Sequence, residues 1–127
     1  MSSSQQIANF LVHVKNSLHQ KKAIIQITKT KKILPLIIAL YRYNILVGYK
    51  SDFKNYYLYF TPRYYNLFEI SSITRYRKQP YKLAEIQKLI TLPQNKTKIF
   101  FFMTQRGILA HNEALQQGLG GYLICHF

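Results

Sequence analysis

Acidic side chains are nearly missing from this chain: Asp52, Glu69, Glu85 and Glu113 are all it has. No two of them fall within one helical turn or on one strand face, so paired-carboxylate acid/base catalysis has no support. Cysteine is equally scarce. Cys125 alone can build neither an internal disulfide nor a multi-cysteine metal site, which fits a reducing compartment. His13, His19, His111 and His126 lack metal-ligand spacing, and the five glycines form no phosphate-loop or dinucleotide pattern. The longest apolar run, residues 33–41, is too short for a bilayer and contains Pro35. The opening six residues show neither the basic-then-apolar pattern of a signal peptide nor the arginine of a transit peptide. We therefore expect no enzyme, no cofactor, no metal, no small-molecule substrate and no membrane partner.

What the chain has in excess is positive charge. Eighteen Lys and Arg against four Asp and Glu give +14 and a pI near 10.0, far more than solubility requires, and a polyanion partner follows. A hydrophobic fraction of 48% excludes disorder. At 127 residues the chain makes one folding unit, or two small lobes that would each be marginal alone.

Read in order, Ser4 can cap a helix whose buried stripe is Ile7, Phe10, Leu11, Val14 and Leu18, at offsets of three and four. Lys15, Asn16, His19 and Lys22 lie off the stripe, and His13 beside it. A short β-branched strand, residues 22–27, leads to the basic run Lys29-Thr30-Lys31-Lys32, where Thr30 is a candidate cap for a helix ending near Asn44. Pro35 requires either that regular helix starts at Leu34 or that its first turn is distorted. Residues 45–50 and 56–60 pair as a hairpin, stopped by Thr61-Pro62. Residues 67–74 form a further strand candidate, running into Arg75-Tyr76-Arg77-Lys78-Gln79-Pro80-Tyr81-Lys82. Interleaved rings and cations there suit unpaired bases and phosphates, or make a solvated basic tip. A helix follows over residues 84–92, ended by Pro93, and residues 99–103 read as a strand buried on both faces. The expected fold class is α+β in two lobes: residues 1–62, helix-strand-helix-hairpin, and residues 63–127, mainly antiparallel β with short helices.

Four of the five glycines fall in the last stretch. Gly107 closes a short polar loop, Gly118 ends a short helix, and Gly120-Gly121 turn the chain into a last strand, with positive φ expected at Gly121. The loop amides, Thr104, Gln105 and Arg106 form either an anion-contacting surface or a plain turn.

The order of these features resembles the C-terminal signature of small-subunit ribosomal protein eight, bacterial type: strand, Thr and a basic residue before Gly107-Ile108-Leu109, a short helix, then Gln117-Gly118-Leu119-Gly120-Gly121 and a strand ending Ile124-Cys125. Ile7 to Asn16 is similar to the family's opening helix, Ile-Ala-Asp-x-Leu-x-x-Ile-Arg-Asn. Thr30-Lys31 looks like its Ser-x-Lys, and Pro80 with Tyr81-Lys82 like its Pro-Gly turn and Tyr-Lys pair, without the Gly. Two departures stand out. The family's Ser-Thr-Ser is Met103-Thr104-Gln105 here, and the Glu that often follows its last glycines is Tyr122. The resemblance implies a structural constituent of the small ribosomal subunit, binding the central domain of its rRNA during assembly beside neighbouring ribosomal proteins. RNA contacts are expected at Lys15, Asn16, Lys29, Thr30, Lys31, Arg75, Arg77, Tyr81, Lys82, Thr104, Gln105, Arg106, Gly107, Gly120 and Gly121.

Competing readings are a free RNA-binding regulator of translation, a non-specific nucleic-acid condenser, and a cationic membrane-surface protein. The last would concentrate lysine on one amphipathic helix, whereas here cations are spread along the chain. Phe, Tyr, Met, Ile, Asn and Lys make 56 residues, while Gly, Ala, Arg and Pro make 20. That bias toward A/T-rich codons points to an organelle genome, a mitochondrion ahead of a plastid or an AT-rich bacterium.

Overall fold

The computed structural model describes residues 3–62 and 79–127, with side chains from Gln6 onward. The strand expected at residues 67–74, and with it Arg75 and Arg77, lies outside the described residues. Contacts divide the chain into two compact units, Met1–Glu69 and Ile70–Phe127. Each carries a three-stranded antiparallel sheet, and the described residues include four α-helices, so the fold is α+β in two lobes.

In the first unit α1, Ser3–His19, buries the stripe of Ile7, Phe10, Leu11, Val14 and Leu18. It already includes Ser3, so Ser4 lies in its first turn instead of capping it, a shift within the ordinary play of helix ends. After β1, Ile24–Thr28, the second helix α2 is Leu34–Arg42 with Pro35 in its first turn. Thr30 is not its cap. The first turn closes on the carbonyl of Ile33, which accepts from the amides of Leu36 at 3.0 Å and Ile37 at 3.1 Å. Pro35, having no N–H to offer, is tolerated only where none is needed, and this fixes the helix start two residues beyond the basic run. At the other end Asn44 takes φ 61°, a left-handed stop that Asn tolerates, and the Ile45 amide reaches back to the Leu40 carbonyl at 3.0 Å.

The hairpin of β2, Leu46–Ser51, and β3, Asn55–Phe60, completes the sheet in the order β1-β3-β2. Its turn is built on Asp52, one carboxylate oxygen of which accepts the amides of Lys54 (2.8 Å) and Asn55 (2.7 Å), while the other accepts the Tyr57 hydroxyl at 2.7 Å. Tyr56, Leu58 and Phe60 alternate inward with Ile25 and Ile27, against α1 and α2.

In the second unit α3, Leu83–Thr91, starts where Glu85 accepts the Lys82 amide at 2.9 Å, and it gives way at Pro93 to a 3₁₀ turn, Pro93–Asn95. The sheet has β4, Phe100–Thr104, in the centre, flanked by β5, Gly107–Ala110, and β6, Tyr122–His126. Phe100, Phe101 and Phe102 are all buried, so β4 is covered on both faces, as its unbroken apolar run predicts. Phe100, Phe102, Leu109 and Leu123 share a core with Ile86 of α3 and Ala114 of α4, His111–Gln117. Gly118 ends α4 at φ 70°.

Candidate nucleic-acid interface

Four of the expected contact residues converge on one groove of the second unit. β4 and β5 are joined by a two-residue turn, Gln105-Arg106, closed by the pair Thr104 and Gly107. The Thr104 hydroxyl holds this turn: it donates to the Gly107 carbonyl at 2.8 Å and accepts the Arg106 amide at 3.1 Å. Gly107 sits at φ 92°, open to glycine but not to ordinary side chains. Beside the turn is a groove of about 320 Å³ lined by Pro80, Met103, Thr104, Gln105, Gly120, Gly121 and Tyr122. Strict strand alternation would put Met103 and Gln105 on one face and Thr104 and Arg106 on the other. Met103, Thr104 and Gln105 all line the groove, because alternation ends where the strand gives way to the turn.

The two glycines are there for close approach. Gly121 is paired with Tyr81 by two backbone hydrogen bonds, 2.7 Å from the Tyr81 amide and 3.1 Å from its own. A Cβ on Gly121 would overlap the Met103 carbonyl, and one on Gly120 would overlap that of Tyr81. Positive φ is found among the glycines at Gly107 and Gly118 only, so the expectation of positive φ at Gly121 is overturned. Gly120 and Gly121 bring no side chain into the groove, so a ligand could approach the chain closely there.

Two cations lie close to groove residues in the chain, Arg106 directly after Gln105 and Lys82 two residues after Pro80. Arg106 is exposed and its guanidinium donates to the Gln117 side chain at 3.4 Å, which extends it along the end of α4. Lys82 is exposed as well. The Tyr81 ring is half-buried and packs edge-on against Phe102, centroids 5.7 Å apart, so it supports the core beneath the groove more than it offers a face. His111 accepts the Phe100 amide on Nδ1 at 3.2 Å, and desolvation lowers its pKa below the ordinary histidine value. Burial pushes the Cys125 thiol far up, leaving a small inert hydrophobe.

The expected residues of the first unit are not gathered in this way. Lys15 is half-buried and Asn16 exposed near the end of α1. Lys29 donates to the Asp52 carbonyl at 3.3 Å and lies 5.7 Å over the Tyr56 ring. Thr30 has a buried hydroxyl with no hydrogen-bond partner among the described residues, while its carbonyl accepts from Tyr56 at 3.4 Å; Lys31 is exposed. Sequence reasoning missed Pro80 and Tyr122 as groove walls, since it takes a backbone bridge across forty residues of chain to bring them there. It also missed the Asp52–Tyr57 pair, whose hydrogen bond holds the carboxyl below and the phenol above their usual ranges.

A strongly cationic α+β protein of two small units is of the kind that binds folded nucleic acid; its described residues hold no group of side chains that could bind a metal ion. No helix among those residues is long and apolar enough to cross a membrane. The sequence as a whole narrows this further. Residues 5–127 match the family model for ribosomal protein S8, and the chain belongs to that family. It is thus a ribosomal protein of the small subunit that binds rRNA, in a family of structural components, not enzymes. No curated protein sequence matches the chain significantly.

Proposed function

We propose that the chain binds the central domain of small-subunit rRNA, supports early assembly there, and touches neighbouring ribosomal proteins. The observation that carries this reading is the gathering of Thr104, Gln105, Gly120 and Gly121 around one groove, with Arg106 in the turn beside it. Phosphates meet Arg106, Lys82 and the first-unit cations Lys15, Lys29 and Lys31, while backbone groups and the Gln105 carboxamide read the shape of an irregular helix. Asn16, Thr30 and Gly107 complete the set, together with Arg75 and Arg77, which lie outside the described residues. In this reading residues 1–62 and 63–127 are separate lobes, each with its own foothold on the RNA.

The ribosome is organellar, and a mitochondrial one fits the A/T-rich codon bias best; a plastid or bacterial ribosome is the alternative. Quantitative mass spectrometry of sucrose-gradient fractions tests the assignment. The chain should co-sediment with small subunits of purified mitochondria at low salt, and its recovery free of ribosomes would favour an independent RNA-binding regulator.

A further inference from the structure

The sheet of the first unit keeps one face away from its helices. Strand alternation places Ile25, Ile27, Leu58 and Phe60 beneath α1 and α2, and puts Ile24, Gln26, Tyr57, Tyr59, Gly48 and Lys50 on the opposite face. Ile24 is 50% exposed there, Gln26 and Lys50 are exposed, and both tyrosines are half-exposed. The pairing is specific: Tyr59 stands between Ile24 and Gly48, and Tyr57 between Gln26 and Lys50. Gly48 has open space where a side chain would stand, so nothing from β2 shields that flank of the Tyr59 ring. Tyr57 is fixed at its far end, its hydroxyl donating to Asp52 at 2.7 Å.

We infer that this face is a second RNA-contacting surface, one that takes the unpaired bases of a single-stranded segment on Tyr59 and Tyr57. Two rings on alternate positions of a central strand are about 6.8 Å apart along it, a spacing that lets successive splayed bases each find a ring. Charge favours RNA over a protein partner. Residues 3–62 contain eight lysines and Arg42 against Asp52 alone, and the Asp52 carboxylate is already taken by two amides and a phenol. Lys50 stands directly across from Tyr57, and Lys22 borders a polar cleft of about 410 Å³ at the outer edge of β1, where Ile24, Gln26, Thr28 and Asn55 meet His13 and Ser17 of α1. Rings on the face with ammonium groups at both margins match the paired needs of base stacking and phosphate neutralisation. The inference rests on RNA binding by this family, not on the groove at Thr104.

The full-length chain is titrated by fluorescence anisotropy with a fluorescein-labelled single-stranded oligouridylate and, separately, with an RNA duplex of equal length. Tyr59→Thr keeps the β-forming character of an outward position but removes the ring. It should weaken single-strand binding roughly tenfold and leave duplex binding unchanged, whereas Tyr59→Phe should bind both like the parent. Parental single-strand affinity in Tyr59→Thr overturns the inference, as does an equal loss in Tyr59→Phe, which would make the hydroxyl and not the ring the contact. In the unaltered chain, 4-thiouridine crosslinks should map to residues 55–60, and crosslinks confined to residues 100–107 also overturn it, leaving the face to a protein neighbour. Arg106→Ala separates the two sites: it should reduce binding of the folded rRNA helix without touching the oligouridylate, so either reading can fail alone.

Discussion

Gly121→Ala adds a single methyl group and is expected to be among the most damaging small changes in the second unit. The added Cβ would overlap the Met103 carbonyl oxygen and crowd the Met103 carbonyl carbon at 2.9 Å and the Thr104 Cγ2 at 3.0 Å. Two of those three atoms are backbone of the central strand and cannot swing aside. Overpacking of this kind costs about 1–3 kcal/mol. Relief by displacement would pull Gly121 away from Tyr81, weakening two hydrogen bonds worth about 0.5–1.5 kcal/mol each. A total near 2–4 kcal/mol is a large share of the 5–15 kcal/mol typical of a folded domain. Urea denaturation followed by far-UV circular dichroism should show the loss directly. Gly118 supplies the control, because its φ of 70° is a conformational demand with no atom within 4 Å of an added Cβ. Gly118→Ala should cost about 1–2 kcal/mol and Gly118→Asn much less, since Asn tolerates the left-handed region. Gly121→Asn should gain nothing over Gly121→Ala. Rescue by Asn at position 121 would refute the steric account and return the site to one of backbone strain.

Arg106→Ala should weaken rRNA binding across related sequences and lower the salt slope by about one unit, measured by filter binding at several salt concentrations. Thr104→Val removes both hydrogen bonds that hold the turn and should cost on the order of 1 kcal/mol or more of affinity for the cognate helix, while Thr104→Ser keeps both and should restore it. Stability should fall as pH drops through about 6.5, because the unfolded chain then protonates a histidine that half-burial at His111 keeps neutral; His111→Gln should flatten that part of the pH profile in urea titrations. Asp52 contributes in the same direction at lower pH: its depressed pKa means stability present above the unfolded carboxylate value and lost as pH falls through the folded one, and Tyr57→Phe should shrink that loss.

The elements were legible where periodicity is strong and punctuation unambiguous. The stripe from Ile7 to Leu18, the Asn44 stop, the Pro93 stop and the aromatic run of β4 each state their structure locally. The start of α2 was ambiguous because two signals compete within six residues. Thr30 has the chemistry of a cap, but Pro35 dictates where a helix can begin, and steric exclusion outweighs a cap worth about 1 kcal/mol. Gly121 was misread for a different reason. A glycine required by φ and one required by a neighbour's proximity look identical in sequence, and the neighbour here is Met103 on another strand, with Tyr81 bridging from forty residues upstream.

That distinction also explains how the turn after β4 can differ from the family pattern it resembles. Where the pattern has serines on either side of Thr104, this chain has Met103 and Gln105, and two hydroxyls are lost. The retained threonine is the one whose hydroxyl closes the turn, donating to Gly107 and accepting from Arg106. Of the retained glycines, Gly120 and Gly121 lie within a methyl group's reach of Tyr81 and Met103, while Gly107 and Gly118 take positive φ. What survives is therefore the set that fixes where the backbone runs, and what varies is the set that decorates it. A groove whose course is set by Thr104, Gly120 and Gly121 keeps its shape through substitutions at positions 103 and 105. Met103→Ser with Gln105→Ser should accordingly change affinity for the cognate helix by less than Thr104→Val alone. The opposite ranking in the same filter-binding series would place recognition in the side chains and not in the backbone they border.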